Sequence, residues 1–122
     1  MFEISVMMGF SAAHKLREYR GKCEKLHGHN WQVEAVFGVR QLNKSGMVMD
    51  FTAAKKLLKA AVKDFDHRYI NELRYFKKVN PTSENIARFI FQKLIKKAKT
   101  RTCTVLRVSV WETPGSRATY YE

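Results

Sequence analysis

The chain has 122 residues, 45% of them hydrophobic and 28% charged, enough for one independent core and too short for two comfortable domains, so residues 1–122 are expected to form a single unit. No apolar run reaches the ~20 residues that cross a bilayer, and the start Met1-Phe2-Glu3-Ile4-Ser5 has no cationic region ahead of an apolar stretch, so neither a membrane partner nor a secretory leader is expected. Two cysteines, Cys23 and Cys103, are too few for a disulfide scaffold and predict a cytoplasmic setting, while 23 Lys plus Arg against 11 Asp plus Glu give a net charge of +12 that attracts anions.

Residues 2–10 alternate, with Phe2, Ile4, Val6, Met8 and Phe10 on one face, which predicts a half-buried strand. Residues 29–39 repeat the pattern through Trp31, Val33, Ala35, Phe37 and Val39, and Asn43-Lys44-Ser45-Gly46 reads as a turn. From Asp50, a good N-cap, the period becomes helical: Phe51, Ala54, Leu58, Ala61, Val62 and Phe65 share one stripe. Pro81-Thr82-Ser83 opens a second helix with the stripe Ala87, Ile90, Phe91, Leu94, Ile95 and Ala98. Residues 104–112 return to alternation through Thr104, Leu106, Val108 and Val110. Pro114-Gly115 then turns the chain into a last strand, roughly 117–121. The order ββααββ predicts an α+β fold, an antiparallel four-stranded sheet with both helices on one face. The sheet's exposed edges invite pairing, so a homo-oligomer is expected.

Lys55, Lys56, Lys59 and Lys63 fall on the wet side of the first helix, and Lys93, Lys96, Lys97 and Lys99 crowd the end of the second, where they complement its dipole. The positive charge is thus read either as solvated helix faces or as a field around an anionic ligand.

Three of the four histidines lie in the first 29 residues. His27 and His29, two apart on an extended segment, point the same way. With His14 they could make a three-imidazole set for a divalent zinc ion, one coordination position being left open for a reactant. His14, His29 and Glu112 each continue the parity of an apolar row, and a carboxylate on such a face needs a designated partner. Cys23 is read in two ways, as a fourth ligand closing a structural zinc site or as a thiolate base beside the metal. Asp66-His67 holds the remaining histidine. Either it caps a helix end, or its carboxylate orients an imidazole that polarises a thiol. Cys103 reads as a small buried hydrophobe, and Trp111, Tyr120 and Tyr121 as packing or interface residues.

Six segments taken together carry a resemblance. They are Phe10-Ser11-Ala12-Ala13-His14, Cys23-Glu24-Lys25-Leu26-His27-Gly28-His29-Asn30, Gly46-Met47-Val48-Met49-Asp50-Phe51, Asp66-His67-Arg68-Tyr69-Ile70-Asn71, Asn80-Pro81-Thr82-Ser83-Glu84-Asn85 and Val110-Trp111-Glu112-Thr113-Pro114. In this order and spacing the chain resembles the 6-pyruvoyltetrahydropterin synthase superfamily, and within it the bacterial 6-carboxytetrahydropterin synthases of queuosine biosynthesis. The resemblance implies a tunnelling (T) fold whose subunit sheets join into a barrel, usually a trimer that pairs into a hexamer. It implies zinc held by His14, His27 and His29, and Cys23 as catalytic base assisted by Asp66 and His67, with sites lying between subunits. It also implies that Glu112 anchors the pterin ring, helped by Thr82 or Ser83.

The implied substrate is 7,8-dihydroneopterin triphosphate, cleaved to 6-carboxytetrahydropterin with release of acetaldehyde and triphosphate. The short Cys-x3-His-Gly-His spacing resembles the carboxy-type enzymes, whereas the pyruvoyl-forming synthases usually carry an insertion there. Relatives that make hydroxymethyl-dihydropterin tend to use Glu where this chain has Cys23, and here Glu24 follows directly, so an aldolase-like product stays open. From another class, a zinc-stabilised basic nucleic-acid module is the rival. Phe and Tyr are not interleaved with Lys and Arg as base stacking requires, so no nucleic-acid partner is expected.

Overall fold

A computed structural model of the protein describes residues 1–18, 25–98 and 102–122. The two alternating segments form β1 (Phe2–His14) and β2 (His27–Val39), antiparallel in unbroken register from Phe2 opposite Val39 to His14 opposite His27. Both strands run further toward the histidines than residues 10 and 29, because the alternation continues through Ala12 and His14 and finds its partners in His29 and His27.

Asp50 caps α1 (Phe51–Val62), its Oδ1 accepting from the Thr52 N–H at 2.7 Å. Thr82 caps α2 (Ser83–Lys97) in the same manner, its hydroxyl accepting from the Asn85 N–H at 3.1 Å. Between the helices lies a two-residue strand, β3 (Arg68–Tyr69), parallel to β1 at Ala12 and Ala13. It is followed by two short 3-10 turns, Ile70–Glu72 and Arg74–Lys77. A two-residue strand has no periodicity to detect. The sheet therefore has five strands rather than the four expected, in the order β3-β1-β2-β4-β5, with β4 (Thr104–Thr113) and β5 (Ser116–Tyr120) as a hairpin at the far side.

Both helices pack on one face of this sheet. Val6, Phe10, Trp31, Val33, Val108 and Val110 point toward them and are buried, as are Leu58 of α1 and Ile90 and Leu94 of α2. Each such aliphatic or aromatic burial contributes about 1.5–3 kcal/mol. The β4 row expected through Thr104 and Leu106 is broken, Val105 being buried in their place because the β2–β4 register shifts between Val36 and Phe37. Phe2, Phe51 and Ile95 also depart from expectation, at 50%, 58% and 42% exposed. Phe2 and Phe51 each begin an element, where no preceding turn or strand covers them, and Ile95 sits on the flank of the line through Leu94 and Phe91. Lys55, Lys56, Lys59 and Lys63 form the exposed side of α1, as the charge pattern predicted, and Lys99 lies outside the described residues. Cys103 is half-buried rather than buried. Among the described residues no helix is long and apolar enough to cross a membrane.

Candidate metal centre

The register of β1 and β2 puts His14 directly across from His27, and His29 follows two residues later on the same face. Trp31 closes the inner wall. Its ring meets His14 edge-on at 4.9 Å and His29 at 5.6 Å, while its indole N–H donates to the Ala12 carbonyl at 3.1 Å. The fourth member comes from β4. Glu112 falls where the β4–β5 register slips between Trp111 and Thr113, so it is unpaired in the hairpin, and its side chain stays on the face of Val108 and Val110. His14, His27, His29 and Glu112 each present one ligand atom, and these atoms lie within 4.8 Å of one another, so the group could hold a metal ion.

The hydrogen bonds behind the rings define which nitrogens face inward. His14 Nδ1 is 2.8 Å from the Pro81 carbonyl, and His27 Nδ1 is 2.7 Å from the Lys25 carbonyl. A carbonyl only accepts, so each Nδ1 carries the proton and each Nε2 presents a lone pair. Those two lone-pair nitrogens are 3.0 Å apart. Glu112 Oε1 adds a carboxylate oxygen 3.0 Å from His14 Nε2, 3.4 Å from His27 Nε2 and 2.8 Å from His29 Nε2. The His29 contact is close but badly angled for a hydrogen bond, and His29 Nε2 is a buried nitrogen with no hydrogen-bond partner. Electron pairs from four atoms facing one point repel unless a proton or a cation lies among them, and the donor set of three imidazoles and a carboxylate suits a divalent ion.

Burial holds the His29 imidazolium below its ordinary pKa, against the raising effect of Glu112. Burial pushes the Glu112 carboxyl up, but the contacts with His27 and His14, whose Nε2 atoms donate to it only in the imidazolium form, and the charges of His14 and His29 outweigh it, so that group stays ionised further into acid than an ordinary glutamate.

Asp66 and His67 sit on the free edge of β1. Asp66 Oδ1 accepts from the Ser11 N–H at 3.0 Å, and the His67 N–H donates to the Ser11 carbonyl at 2.6 Å. The Ser11 bond, followed by contact with His67, holds the Asp66 carboxyl below its usual range. His67 Nδ1 lies 3.1 Å from Asp66 Oδ1, which leaves Nε2 outward on a side chain 82% exposed. Its backbone is left-handed, φ 57°, an uncommon conformation for a residue with a Cβ. His67 borders an open depression of about 460 Å³ over the His14–His27 end of the β1–β2 pair, together with Ser11, Ala13, Gly28, Asn30, Arg68 and His29 of the histidine group.

Of the residues picked from the sequence, His14, His27, His29 and Glu112 are brought together, so that Glu112 adds a possible ligand atom to the three imidazoles. Asp66 and His67 are adjacent to each other but belong to the sheet edge. The Thr82 hydroxyl serves as the α2 cap, and Ser83 is half-buried at the start of that helix, two residues past the carbonyl that fixes His14. Cys23 lies outside the described residues. Three supports were missed: the Pro81 carbonyl behind His14, Ser11 beneath Asp66, and the asparagine pair Asn71 and Asn80. The side-chain amides of that pair bracket Lys15 and Arg17 at 2.8–3.0 Å, in the manner of a neighbouring strand. Backbone partners leave no mark on hydrophobic periodicity.

Comparison with known proteins gives a consistent grouping. The family model described as 6-pyruvoyl tetrahydropterin synthase matches residues 3–122. A Haemophilus influenzae protein named 6-carboxy-5,6,7,8-tetrahydropterin synthase is 34% identical, with 100% of both chains covered. A Pyrococcus furiosus protein named dihydroneopterin monophosphate aldolase is 40% identical over 84% of this chain and 82% of its own. Among solved structures, the Caenorhabditis elegans 6-pyruvoyl tetrahydropterin synthase superposes with a TM-score of 0.88 at 29% identity, covering 99% of this chain and 95% of that one.

Proposed function

Because the chain belongs to the 6-pyruvoyl tetrahydropterin synthase family, we propose that it is a zinc-dependent carbon–carbon lyase converting 7,8-dihydroneopterin triphosphate to 6-carboxy-5,6,7,8-tetrahydropterin, acetaldehyde and triphosphate. Its sheet with two helices on one face is the tunnelling (T) fold of that family. The observation that carries the reading is the convergence of three imidazole nitrogens, two of them held as lone-pair donors by the Pro81 and Lys25 carbonyls. The relatives named as 6-carboxytetrahydropterin synthases support the product.

His14, His27 and His29 hold the ion. Zinc there supplies Lewis acidity, lowering the pKa of a C–H beside the substrate's side-chain oxygens. Cys23, as thiolate, takes and returns the proton. His67, oriented through Nδ1 by a carboxylate that stays ionised, moves protons at Nε2. Glu112 accepts from the pterin's paired N–H donors, a two-point match for a carboxylate, with Thr82 or Ser83 beside it. The basic surface draws in the triphosphate tail.

The Asp66-His67 pair sits on the sheet edge and is not a member of the group formed by His14, His27, His29 and Glu112, so in this reading it serves the site of a neighbouring subunit. The assembly is then a trimer or hexamer, built from single-domain chains of residues 1–122. The setting is cytoplasmic, and the product enters queuosine (7-deazapurine) synthesis.

Mass spectrometry of products from dihydroneopterin triphosphate, with metal analysis of the same sample, tests substrate, reaction and ion together. A 6-carboxytetrahydropterin product with one zinc per chain is expected, and absence of turnover overturns the reading. The 40% identity to a dihydroneopterin monophosphate aldolase favours one second reading. There the monophosphate is cleaved to hydroxymethyl-dihydropterin, and the same spectra taken with that substrate identify it. A pyruvoyl product would assign the chain to the 6-pyruvoyltetrahydropterin synthases instead.

A further inference from the structure

Resting on the metal-centre reading above, we infer that Glu112 is the fourth ligand of the ion in the substrate-free protein, and that its carboxylate must withdraw before an incoming substrate oxygen can take its place. A tetrahedral site with zinc bonds of about 2.0–2.1 Å places neighbouring ligand atoms roughly 3.3 Å apart. Here Glu112 Oε1 stands 3.0, 3.4 and 2.8 Å from the three Nε2 atoms, and His14 Nε2 is 3.0 Å from His27 Nε2. The oxygen therefore lies at ligand-to-ligand distance from all three imidazole nitrogens, within a group whose donor atoms span no more than 4.8 Å. It does not lie off to one side, as a residue waiting for a distant ring would. The contact with His29 is close without being a hydrogen bond, as two ligands of one ion would be.

The same geometry makes Glu112 the ligand able to leave. His14 is 1% exposed and tied behind to Pro81, and His27 is tied to Lys25. His29 is held by edge-on packing against His14, His27 and Trp31, whereas Glu112 has, among the described residues, the three imidazoles alone as hydrogen-bond and ion-pair partners. It also sits at a strand irregularity near the end of β4, and its side chain keeps 28% of its surface open. A carboxylate released from the centre becomes an acceptor for the donors of an incoming ring, so one residue holds the empty site closed and then receives the substrate.

Cobalt(II), which reports its coordination through visible absorption, provides the test on the full chain. With wild-type protein, azide is expected to leave the cobalt spectrum unchanged, while neopterin, which carries the side-chain hydroxyls without phosphate, shifts it. In Glu112→Ala, azide should shift the spectrum saturably, and cobalt affinity measured against a chromophoric chelator should fall by about tenfold or more. Glu112→Gln, nearly isosteric, should show an intermediate loss, and it carries the comparison if the alanine variant does not fold. Identical spectra and equal azide uptake in wild type and both variants would overturn the inference while leaving the lyase reading standing. Failure of the wild type to bind cobalt at all would overturn both. A closed, Glu112-ligated centre with no lyase product would sustain this inference and refute the reaction.

Discussion

Replacing Asn71 by aspartate exchanges one NH₂ for an oxygen, and the structure gives that exchange a definite cost. Asn71 is 8% exposed. Its Oδ1 accepts from the Lys15 N–H at 2.9 Å, and its Nδ2 donates to the Lys15 carbonyl at 2.8 Å. In the variant the first bond survives, but the second becomes a carboxylate oxygen facing a carbonyl. The lost hydrogen bond contributes about 0.5–1.5 kcal/mol, and the unsatisfied carbonyl and uncompensated charge add about 1–3 kcal/mol. Together they predict a loss of roughly 2–4 kcal/mol, or a fall in Tm of about 8–16 °C for a chain of this size. A protonated aspartic acid can again donate to the Lys15 carbonyl, so the folded-state pKa of the introduced group is raised. The defect is therefore full at neutral pH and shrinks as pH falls through that pKa. Thermal melts followed by circular dichroism at pH 8 and pH 5, each set against the parent at the same pH, check this. A variant melting within a degree of the parent, or a gap that widens in acid, would refute the bracket as an anchor of β1's extension. Metal content should stay at the parent value, because His14 is fixed by Pro81 and not by Asn71.

Three further outcomes are expected. Cys23→Ala should keep the parent's metal content and melting temperature while turnover falls by about 10²–10⁴; loss of the metal would make the thiol a structural ligand. His67→Gly relieves a left-handed residue that costs about 1–2 kcal/mol with a Cβ, against a backbone-entropy cost of about 0.5–1 kcal/mol for glycine. It should melt no lower than the parent yet lose turnover, and a marked drop in Tm would show that the side chain is structural. For the metal-free protein, His29 and Glu112 both have folded-state pKa values below their unfolded ones, so the unfolded chain binds more protons than the folded one. Stability should therefore be full above the ordinary histidine range and decline as pH falls, first as His29 protonates and then as Glu112 does. Urea titrations of metal-free protein between pH 8 and pH 4 measure the slope; in Glu112→Gln it should steepen through the histidine range, because Glu112 raises the His29 pKa, and lose the contribution of the carboxylate below that.

Much of this was legible in the sequence for a simple reason: where one sheet face packs on helices, side-chain parity and burial are the same variable. Phe10, Trp31, Val108 and Val110 declared the inner face, and His14, His29 and Glu112 inherited it by continuing the count. The parity of Glu112 survived even the slip at Trp111 and Thr113, since that irregularity falls on the β5 side of the strand. What parity could not supply was depth along the strands. The identification of Glu112 as a member of the histidine group needed the β2–β4 register, with Gln32 opposite Trp111, which brings the end of β4 level with the start of β2.

The remaining omissions share a second cause. Ser11, Pro81, Asn71 and Asn80 act through backbone groups or by imitating them, and a carbonyl looks the same in every residue. Pro81 illustrates the consequence for the site. It lies just ahead of Thr82, the cap of α2, and its carbonyl accepts from His14 Nδ1. That single bond selects the tautomer that turns Nε2 inward. A sequence can announce three imidazoles; which nitrogen of His14 meets the others was decided 67 positions away, by the one atom of Pro81 that has nothing to do with its being proline.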